Sequence, residues 1–340
     1  MKTVCICGGG SLGHVIGGFL SAEGKARVHL LTGHPENWNS CIEVTDPEGN
    51  VMRGHFDVVS SEPSDVIPGA DIVLLCVPGY LTGKVLMDIR PCLRPDTFAG
   101  GVFASSGFFF EAKRILPFSQ PLWGFQRVPF IARVTEYGKS ARLLGYKPSL
   151  NLAVENVPDR ERERFGKWVE SSFGTPVKLL ANYLEASLTN SNPILHTSRM
   201  YSLFGDWTEG KVYDRNFLFY GDWTDEASDI LISMDAEFFR LMDKLPVTKG
   251  YLPTILDYYE SSDARSLTAK LSSIPAFKGI PSPMKQSGGG WVPDFGSRYF
   301  TEDFPFVLRY IHQLGRENNV EMPVIEKVYS WGMGILDKNF

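Results

Sequence analysis

Two segments of this 340-residue chain carry side chains that could move a proton or hold an anion. The first is Asn190-Ser191-Asn192-Pro193-Ile194-Leu195-His196-Thr197. Pro193 suits the first turn of a helix and Asn192 its N-cap, which puts His196 one turn in. Histidine titrates near neutrality, so it is the natural proton donor for reducing a carbonyl or an imine. Read locally, the same residue could equally be a helix histidine that only hydrogen-bonds in a core. The second segment is Ser297-Arg298-Tyr299-Phe300-Thr301-Glu302-Asp303-Phe304-Pro305-Phe306, which follows Gly288-Gly289-Gly290-Trp291-Val292-Pro293. Thr301 reads as an N-cap, with Glu302 and Asp303 in a first turn that favours negative charge. Pro305 is early enough in that helix to be accommodated. Two readings stand side by side. In one, Asp303 merely supports the helix start and Arg298 is a surface cation. In the other, Asp303 bonds one nitrogen of His196 and fixes its tautomer, leaving Arg298 to clamp a carboxylate. Arg199, one turn beyond His196, and Gln126-Arg127 are weaker candidates for the same anion.

A third segment works through its backbone. Val4 to Cys7 reads as a short apolar strand that runs into Gly8-Gly9-Gly10-Ser11-Leu12-Gly13, and His14 to Ala22 reads as a helix. A Gly-x-Gly-x-x-Gly turn between strand and helix is a dinucleotide signature. Gly8 permits the tight turn, Gly10 lets a pyrophosphate approach, and Gly13 lets helix and strand pack closely. Ser11 and Leu12 open the helix, whose free N–H groups and dipole favour phosphate. Gly17 and Gly18 suggest that the helix lies close to a sheet. The next strand, Arg27 to Thr32, ends in Thr32-Gly33-His34, where an acid for the ribose hydroxyls often stands. Thr32 and His34 are therefore the expected contacts there, and NAD and NADP both fit. Asn37 and Trp38 could touch adenosine, although a loop tryptophan more often packs.

The remaining elements must position these three. Ile42–Thr45 and Val51–Val59 flank Asp46-Pro47-Glu48-Gly49-Asn50 and read as a hairpin. Asp71 to Val77 is a buried parallel strand that ends at Pro78-Gly79, which puts Val77 and Pro78 on the carboxyl edge where ligands bind. Residues 97–103 and 108–116 repeat the strand–loop–helix unit. Segments 122–125, 131–137, 140–146 and 149–155 read as strands extending the sheet, followed by a helix over 159–173 and a strand over 176–180. Beyond Ala181 the patterning is helical: 182–204, 224–245, 251–259, 266–271, 302–318 and 322–336, with long loops at 205–223 and 274–296 and hardly any strand signal. The expected fold is an α/β Rossmann-type dinucleotide-binding domain over 1–181 and an all-α substrate and catalytic domain over 182–340. Composition agrees, with 43% hydrophobic residues and a formal charge of −5 without basic tracts, which speaks against nucleic acid as a partner. No run is long and apolar enough to span a membrane. Met1-Lys2-Thr3 enters a strand directly, so a soluble, cytoplasmic protein is expected. The cysteines Cys5, Cys7, Cys41, Cys76 and Cys92 read as reduced thiols in core strands, and no metal site is expected.

Taken together, Gly8 to Gly13, Asn192-Pro193-Ile194-Leu195-His196 and Arg298-Tyr299-Phe300-Thr301-Glu302-Asp303-Phe304-Pro305 resemble the octopine/nopaline (opine) dehydrogenase family. The order and spacing of these segments match over nearly the whole chain. The resemblance implies a Rossmann domain that binds NAD(P)H and a helical domain that closes the cleft. It implies a catalytic dyad of His196 and Asp303, Arg298 near the substrate, and Asn192 near the nicotinamide. It also implies the reaction: a 2-oxo acid joined to the amine of an amino acid, or the reverse oxidation, with these small molecules as substrates. Ketopantoate reductases and 3-hydroxyacid dehydrogenases share the plan but rely on a catalytic lysine, and Lys211, Lys244 and Lys249 lack a recognisable motif. A dinucleotide-binding sensor without turnover would not need a proton relay. Phe204, Trp207, Trp223, Trp291 and Tyr299 could line a pocket, pack a core or form a homodimer face.

Overall fold

The computed structural model describes residues 1–339. It contains two compact units, Met1–Ser187 and a second that begins at Leu188. The chain thus divides after Ser187 rather than after Ala181. The short helix Tyr183–Ser187 stays with the first unit because Glu185 is tied into it. The Glu185 carboxylate accepts the Ala181 N–H at 2.8 Å, and its backbone carbonyl accepts Gln126 Nε2 at 2.7 Å.

The strands of the first unit are β1 (Lys2–Cys7), β2 (Ala26–Leu31), β3 (Cys41–Thr45), β4 (Val51–His55), β5 (Val58–Ser60) and β6 (Ile72–Leu75). They continue with β7 (Phe98–Gly101), β8 (Leu122–Phe125), β9 (Phe130–Glu136), β10 (Ser140–Tyr146), β11 (Leu150–Glu155) and β12 (Val177–Leu179). Eight of them form one sheet in the order β12-β11-β8-β7-β6-β1-β2-β5. All neighbours in it are parallel except β8 and β11. Apolar side chains from both faces of β1 and β6 are buried, as a parallel sheet covered on both sides requires. The strand order reverses at β1, between β2 and β6. The crevice beyond its carboxyl end is where such sheets bind ligands.

Two expectations about this unit change. Residues 51–59 are not one strand: the chain breaks at Phe56-Asp57, where the Asp57 carboxylate accepts the Val28 N–H at 3.1 Å. The segments near 131–137 and 140–146 do not extend the main sheet. With β3 and β4 they build a second sheet, ordered β4-β3-β10-β9. Strand alternation reports which side chains are buried, but not which sheet buries them. The need for this second sheet lies in helix α1 (Ser11–Ala22), which is buried from Gly13 to Leu20 without a polar face. A helix apolar all round must be covered all round. Gly17 faces Phe56 and Val28, and Gly18 faces Val44 and Ile42 of the second sheet, so these glycines answer to both layers.

The second unit is mostly helical. Its longest internal helix, Asp225–Met242, starts where the Thr224 hydroxyl accepts the Ala227 N–H, with Asp225 and Glu226 in the first turn. The buried Glu237 accepts the N–H groups of Val324 and Ile325 at 3.0 and 2.8 Å. Those are orphan donors at the start of the helix Pro323–Asn339. The expected helix 182–204 is broken into Tyr183–Ser187, a π-helical turn Ser191–His196, and Thr197–Phe204. Residues 302–318 likewise divide into a π-helical turn, Phe304–Leu308, and a helix, Arg309–Glu317. Pro193 and Pro305 explain both: a proline supplies no N–H and its ring crowds the preceding turn, and a widened turn relieves this. Residues 251–259 keep only Ile255–Tyr258 as helix, capped by the Thr254 hydroxyl. The stretch 274–296 contains a hairpin, Met284–Ser287 with Gly290–Pro293. Its turn residues Gly288 and Gly289 have φ of 60° and 84°, the left-handed pair that a two-residue hairpin needs.

Candidate active site

The glycine turn closes the carboxyl end of β1. Gly8 has φ 120°, and a Cβ there would lie 2.6 Å from the Cys76 carbonyl oxygen. A Cβ on Gly13 would collide with the Gly8 carbonyl, whereas one on Gly10 would meet nothing within 4 Å. These three positions therefore divide the work as expected: tight turn, close packing and open approach. No side chain caps α1 and no acid lies in its first turn, which leaves its N–H groups and dipole to an anion. A cleft of about 750 Å³ opens here, lined by the turn together with Thr32, Val77 and Pro78. This room beside a backbone cradle fits a dinucleotide.

Several side chains hold the turn, and one of them had no signal in the spacing. His14 is fully buried, its Nδ1 2.9 Å from the Gly10 carbonyl, and its Nε2 accepts the Gly138 N–H at 2.8 Å. That pair of bonds requires the neutral ring with the proton on Nδ1. Burial pushes its pKa down, against the pull of the carbonyls of Gly10 and Gly9, which also favours the neutral form. Ser11 Oγ accepts the Val134 N–H at 3.2 Å, and Thr32 Oγ1 lies 3.2 Å from the Tyr137 hydroxyl. Leu12 turns its side chain into the core and has only its backbone to offer the cleft. Trp38 packs on His14 with ring centroids 4.1 Å apart, in keeping with a structural role. His34 departs from expectation: it is exposed, outside the cleft lining, and lies 3.2 Å from the Glu36 carboxylate. The proline that follows it starts a short 3-10 turn, Pro35–Asn37. Among the cysteines, Cys5 and Cys7 are buried and burial raises the Cys5 thiol, but Cys41 is exposed on its strand.

In the second unit, His196 Nδ1 and Asp303 Oδ2 lie 2.9 Å apart across 107 residues of sequence. Both are largely buried, with side-chain exposures of 18% and 13%. His196 ends one π-helical turn and Asp303 immediately precedes the other. Such turns recur at functional sites because they re-aim side chains that a regular helix would stack. Asn192 is not an N-cap. It lies inside the first π turn, exposed and without a capping bond. The carbonyls of that turn are instead served by hydroxyls, Thr197 Oγ1 donating to Pro193 and Ser198 Oγ to Leu195. Thr301 is not an N-cap either. It ends the short helix Arg298–Thr301, and its hydroxyl donates to the Ser297 carbonyl at 3.2 Å.

The imidazole rests against Tyr299, edge to face at 4.9 Å, and Tyr299 stacks on Phe219 at 4.9 Å. Burial raises the Tyr299 phenol, helped by Asp303 and opposed by Arg298. Arg298 is exposed and forms no ion pair among the described residues. Arg199, by contrast, is unavailable to a substrate. It is 1% exposed and donates to the carbonyls of Phe219, Leu218 and Asp222, which pins the loop at 218–222. Burial lowers its pKa to about 10, partly offset by Asp222. Spacing of one turn placed it beside His196 in sequence, but the side chain points into the unit's interior. Gln126 is likewise engaged, bonded to Glu185 and to Asn151, while Arg127 is exposed. Phe204 and Trp223 are core residues, Trp207 packs on Phe295, and Tyr299 alone of the five aromatics touches His196. Lys211 pairs with Asp206 at 3.1 Å on the surface. Among the described residues no helix is long and apolar enough to cross a membrane, and no cluster of His, Cys, Asp or Glu could hold a metal.

Comparison with known proteins finds one family model in each part of the chain. Residues 179–336 match the model of the NAD/NADP octopine/nopaline dehydrogenase alpha-helical domain, and residues 4–99 match that of ketopantoate reductase PanE/ApbA. The tauropine dehydrogenase of Arabella iricolor is 27% identical over all of this chain and 93% of its own. The octopine dehydrogenase of Pecten maximus is 24% identical over 99% of this chain and 91% of its own. A solved octopine dehydrogenase with NADH and L-arginine superimposes with a TM-score of 0.87 at 23% identity, covering 99% of this chain and 90% of that one. With its Rossmann-type nucleotide unit and a helical unit that matches the octopine/nopaline dehydrogenase domain over residues 179–336, the chain is an NAD(P)-dependent oxidoreductase similar along its whole length to the opine dehydrogenases.

Proposed function

We propose that this enzyme joins a 2-oxo acid to the amino group of an amino acid by reductive condensation, or oxidises the product in reverse, with His196 and Asp303 as its proton relay. The observation that carries the relay is the 2.9 Å contact between His196 Nδ1 and Asp303 Oδ2. A carboxylate on Nδ1 holds that proton and fixes the ring's tautomer, which leaves Nε2 to work. In the condensing direction the amine adds to the ketone carbon, water leaves, and the imine accepts a hydride to become a secondary amine. Bound nicotinamide supplies or takes up that hydride. His196 Nε2 delivers a proton to the departing oxygen or to the nitrogen, and Asp303 stabilises the charged ring in between. Tyr299 and Phe219 wall the imidazole and limit its rotation. The product carries two carboxylates. Arg298, exposed and uncommitted to an ion pair among the described residues, is the cation we assign to one of them. Asn192, exposed on the turn that ends in His196, offers an amide to the substrate.

The test is a panel of 2-oxo acids and amino acids with NADH or NADPH, following cofactor consumption. Consumption that requires both co-substrates is expected. Consumption with an oxo acid alone would replace this reading with a simple hydroxyacid dehydrogenase.

A further inference from the structure

The end of β2 lacks the acid that often marks a preference for NAD, but the sheet brings one in from next door. β5 pairs in parallel with β2, with Leu31 opposite Ser60, and the Thr32 N–H donates to the Ser60 carbonyl at 3.0 Å. Continuing that register sets Ser61 and Glu62 alongside Thr32 and Gly33, and all four residues line the nucleotide cleft. The loop is held in place. Ser60 Oγ accepts the Glu62 N–H at 3.0 Å and donates to Asp65 at 2.6 Å. Glu62 is exposed, and its carboxylate forms no ion pair among the described residues. The other charged groups lining the cleft are Lys84 and Asp88, which pair with each other at 2.6 Å. His34, the nearest basic side chain in sequence, is turned to Glu36 outside the lining. The cleft therefore offers one unpaired carboxylate and no uncommitted cation. This end is built to accept hydrogen bonds from hydroxyls and to repel a further phosphate.

We infer that Glu62 makes this enzyme prefer NAD(H) over NADP(H), by accepting hydrogen bonds from the adenosine ribose hydroxyls where a 2′-phosphate would be repelled. The inference rests on the nucleotide reading of the cleft, but it requires no turnover. The test is binding of NADH and of NADPH to the full-length protein, read as quenching of tryptophan fluorescence, for the native chain and for Glu62→Gln. NADH should bind at least about tenfold more tightly than NADPH to the native protein, and the substitution should shrink that ratio severalfold with an unchanged melting temperature. Raising the salt concentration should shrink it as well, because the discrimination is a charge repulsion at an exposed site. Equal affinities for the native protein, or a ratio that Glu62→Gln leaves unchanged, would overturn the assignment. Tight NADPH binding with opine synthesis intact would sink this inference and spare the proposed reaction. NADH selectivity without any turnover would do the opposite.

Discussion

The glycine turn and the His196–Asp303 pair solve opposite problems. The turn offers backbone, and its shape comes from missing atoms: no Cβ at Gly8, Gly10 or Gly13. All of it lies within six consecutive residues at the end of one buried strand. The proposed dyad draws on side chains supplied by two proline-widened turns, 107 residues apart in sequence. The unit that holds the pair also retains buried charge. Arg199, Asp235 and Glu237 are all at most 5% exposed, and each is satisfied by backbone or amide partners. A cradle for phosphate needs space and aligned N–H groups, which local sequence can encode. A proton relay needs a fixed distance between two polar groups kept from water, which only a packed unit can enforce.

The contrast predicts different failures in the two regions. The largest should follow His196→Ala. Turnover falls by at least about two orders of magnitude, the scale of general acid–base help, while NADH binding measured by fluorescence stays as in the native protein. Undiminished turnover would remove the dyad from the mechanism and leave the pair as a structural bond.

Next comes the cost of buried charge. Burial raises Asp235 from 3.8 to about 6, against the pull of the Ile255 N–H and the Asn190 amide. The folded protein thus holds this proton more firmly than the unfolded chain does. The resulting stability is complete below about pH 4 and is lost as pH rises to about 6, up to about 3 kcal/mol. Urea unfolding across pH 4 to 7 should show this component, and Asp235→Asn should abolish it. A variant that keeps the full slope would break the picture of charge held at a cost.

The smallest effect should separate two glycines of one turn. Gly10→Ala puts a methyl into open space, so the melting temperature should hold while NADH affinity drops about tenfold, or 1.4 kcal/mol. Gly13→Ala drives a methyl into the Gly8 carbonyl and should lower the melting temperature instead. If both substitutions only lower stability, the turn is a packing device and its role in binding the pyrophosphate fails.

Most of the first unit could be read from its residues because its signals are local. Apolar runs gave β1 and β6, and the glycine spacing gave the turn between strand and helix. What could not be read there was assignment: residues 131–137 and 140–146 alternate like any half-buried strands, and only the uncovered side of α1 calls them into a second sheet. In the second unit, long helical patterns hid the breaks at Pro193 and Pro305, since either proline could also have begun an ordinary helix. Arg199 shows the same limit at one residue. Its position one turn from His196 suggested a shared surface, but three backbone carbonyls claimed its guanidinium.

The sequence by itself determined where the cradle suited to phosphate stands, because such a backbone turn is written in the order of a few neighbouring glycines. It also determined the chemical types available for the reaction: one imidazole, two adjacent carboxylates and one arginine in two distinctive segments. The tertiary structure alone decided that the imidazole and the carboxylate meet, that Arg199 is spent on packing, and that Glu62 reaches the cleft from an adjacent strand. These are facts about distance between residues remote in sequence or set by strand register, and no local pattern fixes such a distance.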